Sequence, residues 1–335
     1  MVSTLWALAA TAILPVAQSH FTFVRVSVNG VWEEPGRYFR NKTSPFVEPA
    51  TESEGYIGYY HSPTFPQHLP NSLRCGRDSF AHAAETEVLT VKAGDTLEFA
   101  HTRIEPKDWK DYQWYGCPEG RGSCDPNGTQ WEVPYMEFAH PGPVVAHLSQ
   151  VPDGLDVRDY DGSGEWVKIY TLGYEFYHDD PDRIIFLAHN YTGRPGRIIF
   201  DIPSQTPAGE YLLRVDLIWA YYKDSQRVSG GYTQLYPSCL QVRVESAVEG
   251  SLPAGGIKIP ENLCRDCPGK LISCLQSLSS LEAVRSPITM VGMLVGSGMY
   301  GGQGEPDDDY VYPGGLQWDG EKMFEVRPPV RPSRR

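Results

Sequence analysis

The sequence predicts an all-β fold, a β-sandwich with long loops. Three observations support this. Between Phe21 and about Val244, apolar residues fall in short runs rich in β-branched and aromatic side chains. Gly, Pro and Tyr crowd the connections between them. No stretch in that region has a convincing amphipathic helical period.

The first strand is Phe21-Thr22-Phe23-Val24-Arg25-Val26-Ser27-Val28, ended by the turn dipeptide Asn29-Gly30. Residues Thr86 to Val91 and Thr96 to Ala100 form two more around Ala93-Gly94-Asp95. Val144 to Val151 is an apolar run, and Trp166 to Tyr170 alternates. Arg197 to Ile202 precedes Pro203 and the turn Pro207-Ala208-Gly209, after which Glu210 to Trp219 and Gln234 to Val244 complete the set. Beyond Ser246, Gly, Pro and acidic residues accumulate, so residues 247–335 read as a largely disordered C-terminal tail. Within it, Leu271 to Val284 carries one helical apolar face. Cys264-Arg265-Asp266-Cys267 has no matching second pair, so local disulfide bonding with Cys274 is expected over zinc.

The 335 residues carry a net charge of -13, which argues against nucleic acid and anionic membrane as partners. Residues 1–19 read as a cleavable secretory signal, with an apolar run from Leu5 to Val16 and small residues in Ala17-Gln18-Ser19. No other run is long and apolar enough to span a bilayer, and the C-terminus lacks the hydrophobic tail of a lipid-anchor signal. Seven cysteines and the sequons at Asn41, Asn127 and Asn190 fit a secreted, glycosylated chain. Cys117 and Cys124 pair by proximity in this reading.

Cleavage after Ser19 makes His20 the N-terminus, where an α-amine and an imidazole offer two nitrogen donors from one residue. His140 stands before the stiff turn Pro141-Gly142-Pro143 that feeds a strand, a setting that holds a ligand in place. Gln234 and Tyr236 lie two apart, so on a strand they share a face, with Tyr236 beside a metal and Gln234 as a hydrogen bonder. Taken singly, each residue is better explained by an ordinary structural role.

An ordered series of motifs decides between these readings. It comprises His20, Phe23 to Gly30, Asn71-Ser72-Leu73-Arg74-Cys75, Val91 to Asp95, His140 to Val144, Trp166 to Ile169, Pro207 to Arg214 and Gln234 to Cys239. From His20 to about Val244 the chain resembles the fungal lytic polysaccharide monooxygenases of auxiliary activity family 9, once classed as glycoside hydrolase family 61. The resemblance implies an immunoglobulin- or fibronectin-like antiparallel sandwich over residues 20–246, with one copper ion on a flat face. His20 and His140 would be its nitrogen ligands, Tyr236 the axial neighbour and Gln234 the hydrogen bonder behind it. It further implies a Cys75–Cys239 disulfide, and an external electron donor or redox partner with O2 or H2O2 as co-substrate. The implied substrate is cellulose or a related β-glucan, met by exposed aromatics: Tyr56, Tyr59 and Tyr60 in the first long loop, Tyr221, Tyr222 and Tyr232 near the last. The run Leu213-Arg214-Val215-Asp216 departs from the family's Leu-Arg-His-Glu. The missing histidine points to an alternative, a secreted copper-binding or wall-associated protein without oxidative catalysis. His147 and His189 are the histidines that could stand in. A glycoside hydrolase would need a pair of carboxylates at defined separation, which no motif supplies.

Overall fold

The computed structural model describes residues 20–48, 57–65, 68–102, 142–177, 180–188, 198–219, 221–222, 234–263, 294–295 and 312–331. The leader, the helix expected at 271–284, the sequons at Asn127 and Asn190, and all cysteines except Cys75 and Cys239 lie outside them.

Twelve strands build the framework: β1 Thr22–Val28, β2 Val31–Trp32, β3 Leu89–Lys92, β4 Thr96–Thr102, β5 Val144–Gln150, β6 Val167–Leu172, β7 Ile198–Asp201, β8 Gly209–Trp219, β9 Gln234–Leu235, β10 Ser238–Glu245, β11 Gln317–Trp318 and β12 Met323–Phe324. One sheet has the order β7-β4-β1-β2. The larger sheet runs β12-β11-β6-β5-β8-β10-β3, with β9 paired to β8 off that path. Neighbours are antiparallel except β10 with β3 and β11 with β6. The main core lies between the sheets, where Val26, Leu97, Phe99 and Ile198 of one meet Leu148, Val167, Leu213 and Val242 of the other.

Burial explains the sequence texture. Edge strands β3 and β7 alternate buried and exposed residues, as a strand with one wet face must. In β5 and β8 nearly every residue is buried, polar ones included, with His147, Ser149, Arg214 and Asp216 wholly covered among the apolar side chains. At the turn after β1, Asn29 and Gly30 have φ of 51° and 84°, the left-handed pair of a tight two-residue hairpin joining Val28 to Val31. Tyr211 opens β8 with its hydroxyl donating back to the Pro207 carbonyl at 2.8 Å, a tyrosine corner that pins the preceding turn.

Two described pieces beyond residue 246 pack onto this unit. Ile257 exchanges backbone hydrogen bonds with Trp166, and Ile257, Ile259 and Leu263 are buried in a second core cluster. Strand β11 extends the large sheet beside β6 and inserts Trp318 into the main core. Composition masks both pieces, since two-residue strands among Gly and Pro leave no periodic pattern. The hairpin Tyr174–Tyr177 with Asp180–Phe186 and the short helix Pro70–Cys75 were also not anticipated.

Candidate functional site

His20 lies two residues before the start of β1 and is half-buried. Its ring centre lies 6.2 Å from that of Tyr236. The next residue, Phe21, stacks on the Tyr236 ring at 4.4 Å and meets His101 edge-on at 5.2 Å. Tyr236 is buried in the main core, and its hydroxyl donates to Gln234 Oε1 at 2.6 Å. The two residues share a face, as their spacing predicts, and the bond fixes both side chains.

Behind this pair the structure buries charge. The Tyr236 N–H donates to Asp216 Oδ1 at 2.6 Å, and Asp216 Oδ2 accepts from Arg214 at 2.6 Å, both side chains fully buried. Burial pushes the Asp216 carboxyl above its ordinary range, against the pull of Arg214 and the Tyr236 N–H. Arg214 Nε donates to the Arg74 carbonyl at 2.8 Å, next to the Cys75–Cys239 disulfide, whose Cα atoms are 5.1 Å apart. Lys42 reaches into the same floor, its Nζ 2.9 Å from Thr22 Oγ1, and burial lowers its pKa to about 7. The segment leading from His20 into β1 and the link between β9 and β10 that carries Tyr236 are thus tied to one buried base.

A loop that sequence reasoning did not single out for its histidine completes the described surroundings. Residues 57–65 cross to β9, where Thr64 and Leu235 exchange backbone hydrogen bonds at 2.8 Å. That crossing sets His61, half-buried, with its ring 6.3 Å from that of His20. The buried guanidinium of Arg77 clamps the loop, donating to the Ser62 carbonyl at 2.7 Å and to that of Pro63. Gly58 is required there, because any Cβ would overlap the Arg77 side chain. No spacing motif marks His61. The only signal was its place among the aromatics of the first long loop.

The other expected residues divide. Tyr59 is 51% exposed, whereas Tyr60 is 1% exposed and faces inward, so Tyr60 presents no ring to a ligand. Tyr221 and Tyr222 form a strand whose side chains lie outside the described set, as do Tyr56, Tyr232, His140 and His189 altogether. Asn41 is half-buried, its Oδ1 accepting from the Lys42 N–H at 2.9 Å. Val215 is wholly buried in the main core, opposite Ala146 and Ser238, and it is Trp219 that pairs with Gln234. His147 cannot stand in at this site. It is fully buried, with Nε2 donating to the Gly314 carbonyl at 3.1 Å. Among the described residues no three His, Cys, Asp or Glu side chains gather as a metal cage, so any ion here draws on the His20 amine or on residues outside them.

Comparison with known proteins identifies the family. A model of "Auxiliary Activity family 9 (formerly GH61)" matches residues 20–282, beginning at His20. The chain is 27% identical over 263 residues to AA9 family lytic polysaccharide monooxygenase D of Emericella nidulans, covering 78% of this chain and 74% of that protein. It is 27% identical over 280 residues to AA9 family lytic polysaccharide monooxygenase U of Thermothielavioides terrestris, covering 83% and 90%. In fold it resembles the solved structure of CvAA9A, with a TM-score of 0.50 and 20% identity, over 90% of this chain and all of the other. Matched by the family model over most of its length, the chain belongs to Auxiliary Activity family 9, the lytic polysaccharide monooxygenases.

Proposed function

We infer that the mature protein is a secreted copper-dependent monooxygenase that cleaves β-linked glucan chains, cellulose foremost. The observation that carries this reading is the seat of His20. It is half-open to solvent at the start of the sandwich, beside a tyrosine that is locked to Gln234. The donor chemistry fits the ion. His20 offers an imidazole and, once the leader is removed, an amine, and nitrogen donors suit copper rather than the oxygen-seeking cations. His140 would add a further imidazole.

When bound, copper supplies the one-electron chemistry by which O2 or H2O2, with an external reductant or redox partner, is turned on a C–H bond beside a glycosidic linkage. The chain's own residues hold and shape that position. Tyr236 and Phe21, stacked and buried, keep water from the core side of His20. The hydroxyl of Tyr236 spends its proton on Gln234, so its oxygen lone pairs remain directed away from that bond. Arg214 and Asp216 fix the backbone that carries the phenol. Tyr59 offers an exposed ring on which a sugar face can stack. A net charge of -13 leaves a neutral polymer neither attracted nor repelled, and no described helix is long and apolar enough to cross a membrane.

The test is product analysis. Copper-loaded mature protein with a reductant and O2 or H2O2 is expected to release oxidised oligosaccharides from cellulose. Hydrolytic products with unmodified ends, or no product from any β-glucan, would refute the assignment.

A further inference from the structure

Three basic side chains form a row across the large sheet. His147 of β5 stands in register with Arg214 of β8 on one side and Lys168 of β6 on the other. Their strand neighbours Ala146, Leu213 and Val167 point into the core between the sheets, so the row lies on the outer face. All three are buried. The segment 312–324 roofs two of them, and both hold its backbone. His147 Nε2 donates to the Gly314 carbonyl and Lys168 Nζ to that of Pro313, each at 3.1 Å. The contact is close: a Cβ on Gly314 would lie 2.6 Å from His147 Nε2 and 3.3 Å from Lys168 Cδ. The Tyr312 hydroxyl accepts from the Tyr174 N–H at 3.1 Å, and Trp318 is the apolar anchor. Backbone pairing adds little, because β11 meets β6 at the single register pair Gln317 with Lys168.

The closed roof fixes His147 in its neutral state. With Nε2 donating, Nδ1 is left as a bare acceptor, and among the described residues it meets no partner. A proton added there would create a buried imidazolium whose new N–H meets no acceptor. The surrounding charges oppose that proton. Burial and then Arg214 hold the ring neutral, Lys168 adds to them, and only the Gly314 carbonyl pulls the other way. The nearby carboxylates face other cations, Asp216 pairing with Arg214 at 2.6 Å and Glu325 acting on Lys168. The phenols of Tyr312 and Tyr174, pushed up by burial, stay neutral in acid. Hydrating a charged His147 therefore requires lifting the roof.

We propose that segment 312–324 is an acid-released strap, latched while His147 is neutral and freed when the ring takes a proton. Lifting it exposes Trp318 and the edge of β6 that β11 covers. Uncovered, the ring returns to its ordinary value of 6.5, whereas under the strap it lies well below. The closed state is thus fully favoured above pH 6.5 and loses ground below it. One proton per opening raises the open fraction ~10-fold for each pH unit. Lys168, which burial lowers to about 7, is charged in both states over that range and adds no slope. The latch operates without copper.

Hydrogen exchange read by mass spectrometry tests this on the full-length mature protein at pH 7, 6 and 5, with the intrinsic pH dependence of exchange divided out. Protection over 312–324 is expected to fall ~10-fold per unit below pH 6.5, while strand β4 of the small sheet keeps its protection. Unchanged protection in the strap, or an equal loss in β4, would overturn the proposal. His147→Gln keeps an Nε2 donor for Gly314 and takes up no proton. In that variant the strap should be as protected at pH 5 as at pH 7. An acid loss that survives the substitution, as titration of Asp216 would produce, would also overturn it.

Discussion

His20 and His147 receive opposite treatment from the same sandwich. His20 is half-open, flanked by the aromatic rings of Tyr236 and His61, and precedes the first strand. His147 lies in β5 beneath the C-terminal segment, with one nitrogen on the Gly314 carbonyl and Lys168 beside it donating to the Pro313 carbonyl at 3.1 Å. Burial, reinforced by the charge of Arg214, holds the His147 ring well below its ordinary pKa and keeps it neutral. Both are histidines set among well-packed residues. Access separates them: one ring reaches solvent and a second imidazole, whereas the other serves as a fastener for backbone. A histidine's role is thus settled by what covers it rather than by its presence.

Substitutions can break or sharpen this contrast. Arg214→Met should have the largest effect, because it leaves Asp216 buried without its partner. A loss of about 3–5 kcal/mol in denaturant unfolding is expected, together with an altered copper spectrum, since Asp216 anchors the Tyr236 backbone. A small loss with an unchanged spectrum would show that the charged base does not support the site. At the His147 end, Gly314 has φ of 91°, and a Cβ there would come within 2.6 Å of His147 Nε2. Gly314→Ala should therefore cost about 1–3 kcal/mol while leaving copper binding intact. An effect on copper affinity would mean that the two regions are coupled.

Acidity gives a finer test. Burial lowers Lys168 to about 7, opposed by Glu325, so between pH 7 and the ordinary lysine value of 10.5 the unfolded chain binds the extra proton. Stability contributed by this group rises with pH across that window and is flat below it. His147 acts in the same direction below its ordinary value of 6.5. Lys168→Met should reduce the rise in melting temperature between pH 7 and 10, the remainder belonging to Lys42, which burial lowers to the same value, and leave the fall below pH 6.5; an unchanged slope would contradict the burial argument. The smallest effect belongs to Tyr59→Ala. Stability should stay within about 0.5 kcal/mol while retention on cellulose weakens, and unchanged retention would remove Tyr59 from the contact surface.

Much of the framework was legible in the chain. The strands from Thr22 to Glu245 show themselves through β-branched runs and turn dipeptides, and Asn29-Gly30 adopts the geometry that its composition demands. The pairing of Gln234 with Tyr236 follows from the two-residue period of a strand. What stayed hidden depends on contacts distant in sequence. His61 lies near His20 only because Thr64 pairs with Leu235, a bridge no local pattern encodes. Tyr60 and Tyr59 look alike in sequence, yet the chain turns one inward and the other out. The strand Gln317–Trp318 is too short to show a period and is recognisable only by the sheet edge it joins.

The central claim is that His20, freed of its leader, holds copper beside Tyr236. Intact-mass spectrometry of the secreted protein, recorded metal-free and after Cu(II) addition, tests it most directly. The expected result is a chain beginning at His20 that gains one copper per molecule, and loses that gain when its α-amine is acetylated. A secreted chain beginning elsewhere, or copper uptake indifferent to acetylation, would contradict it.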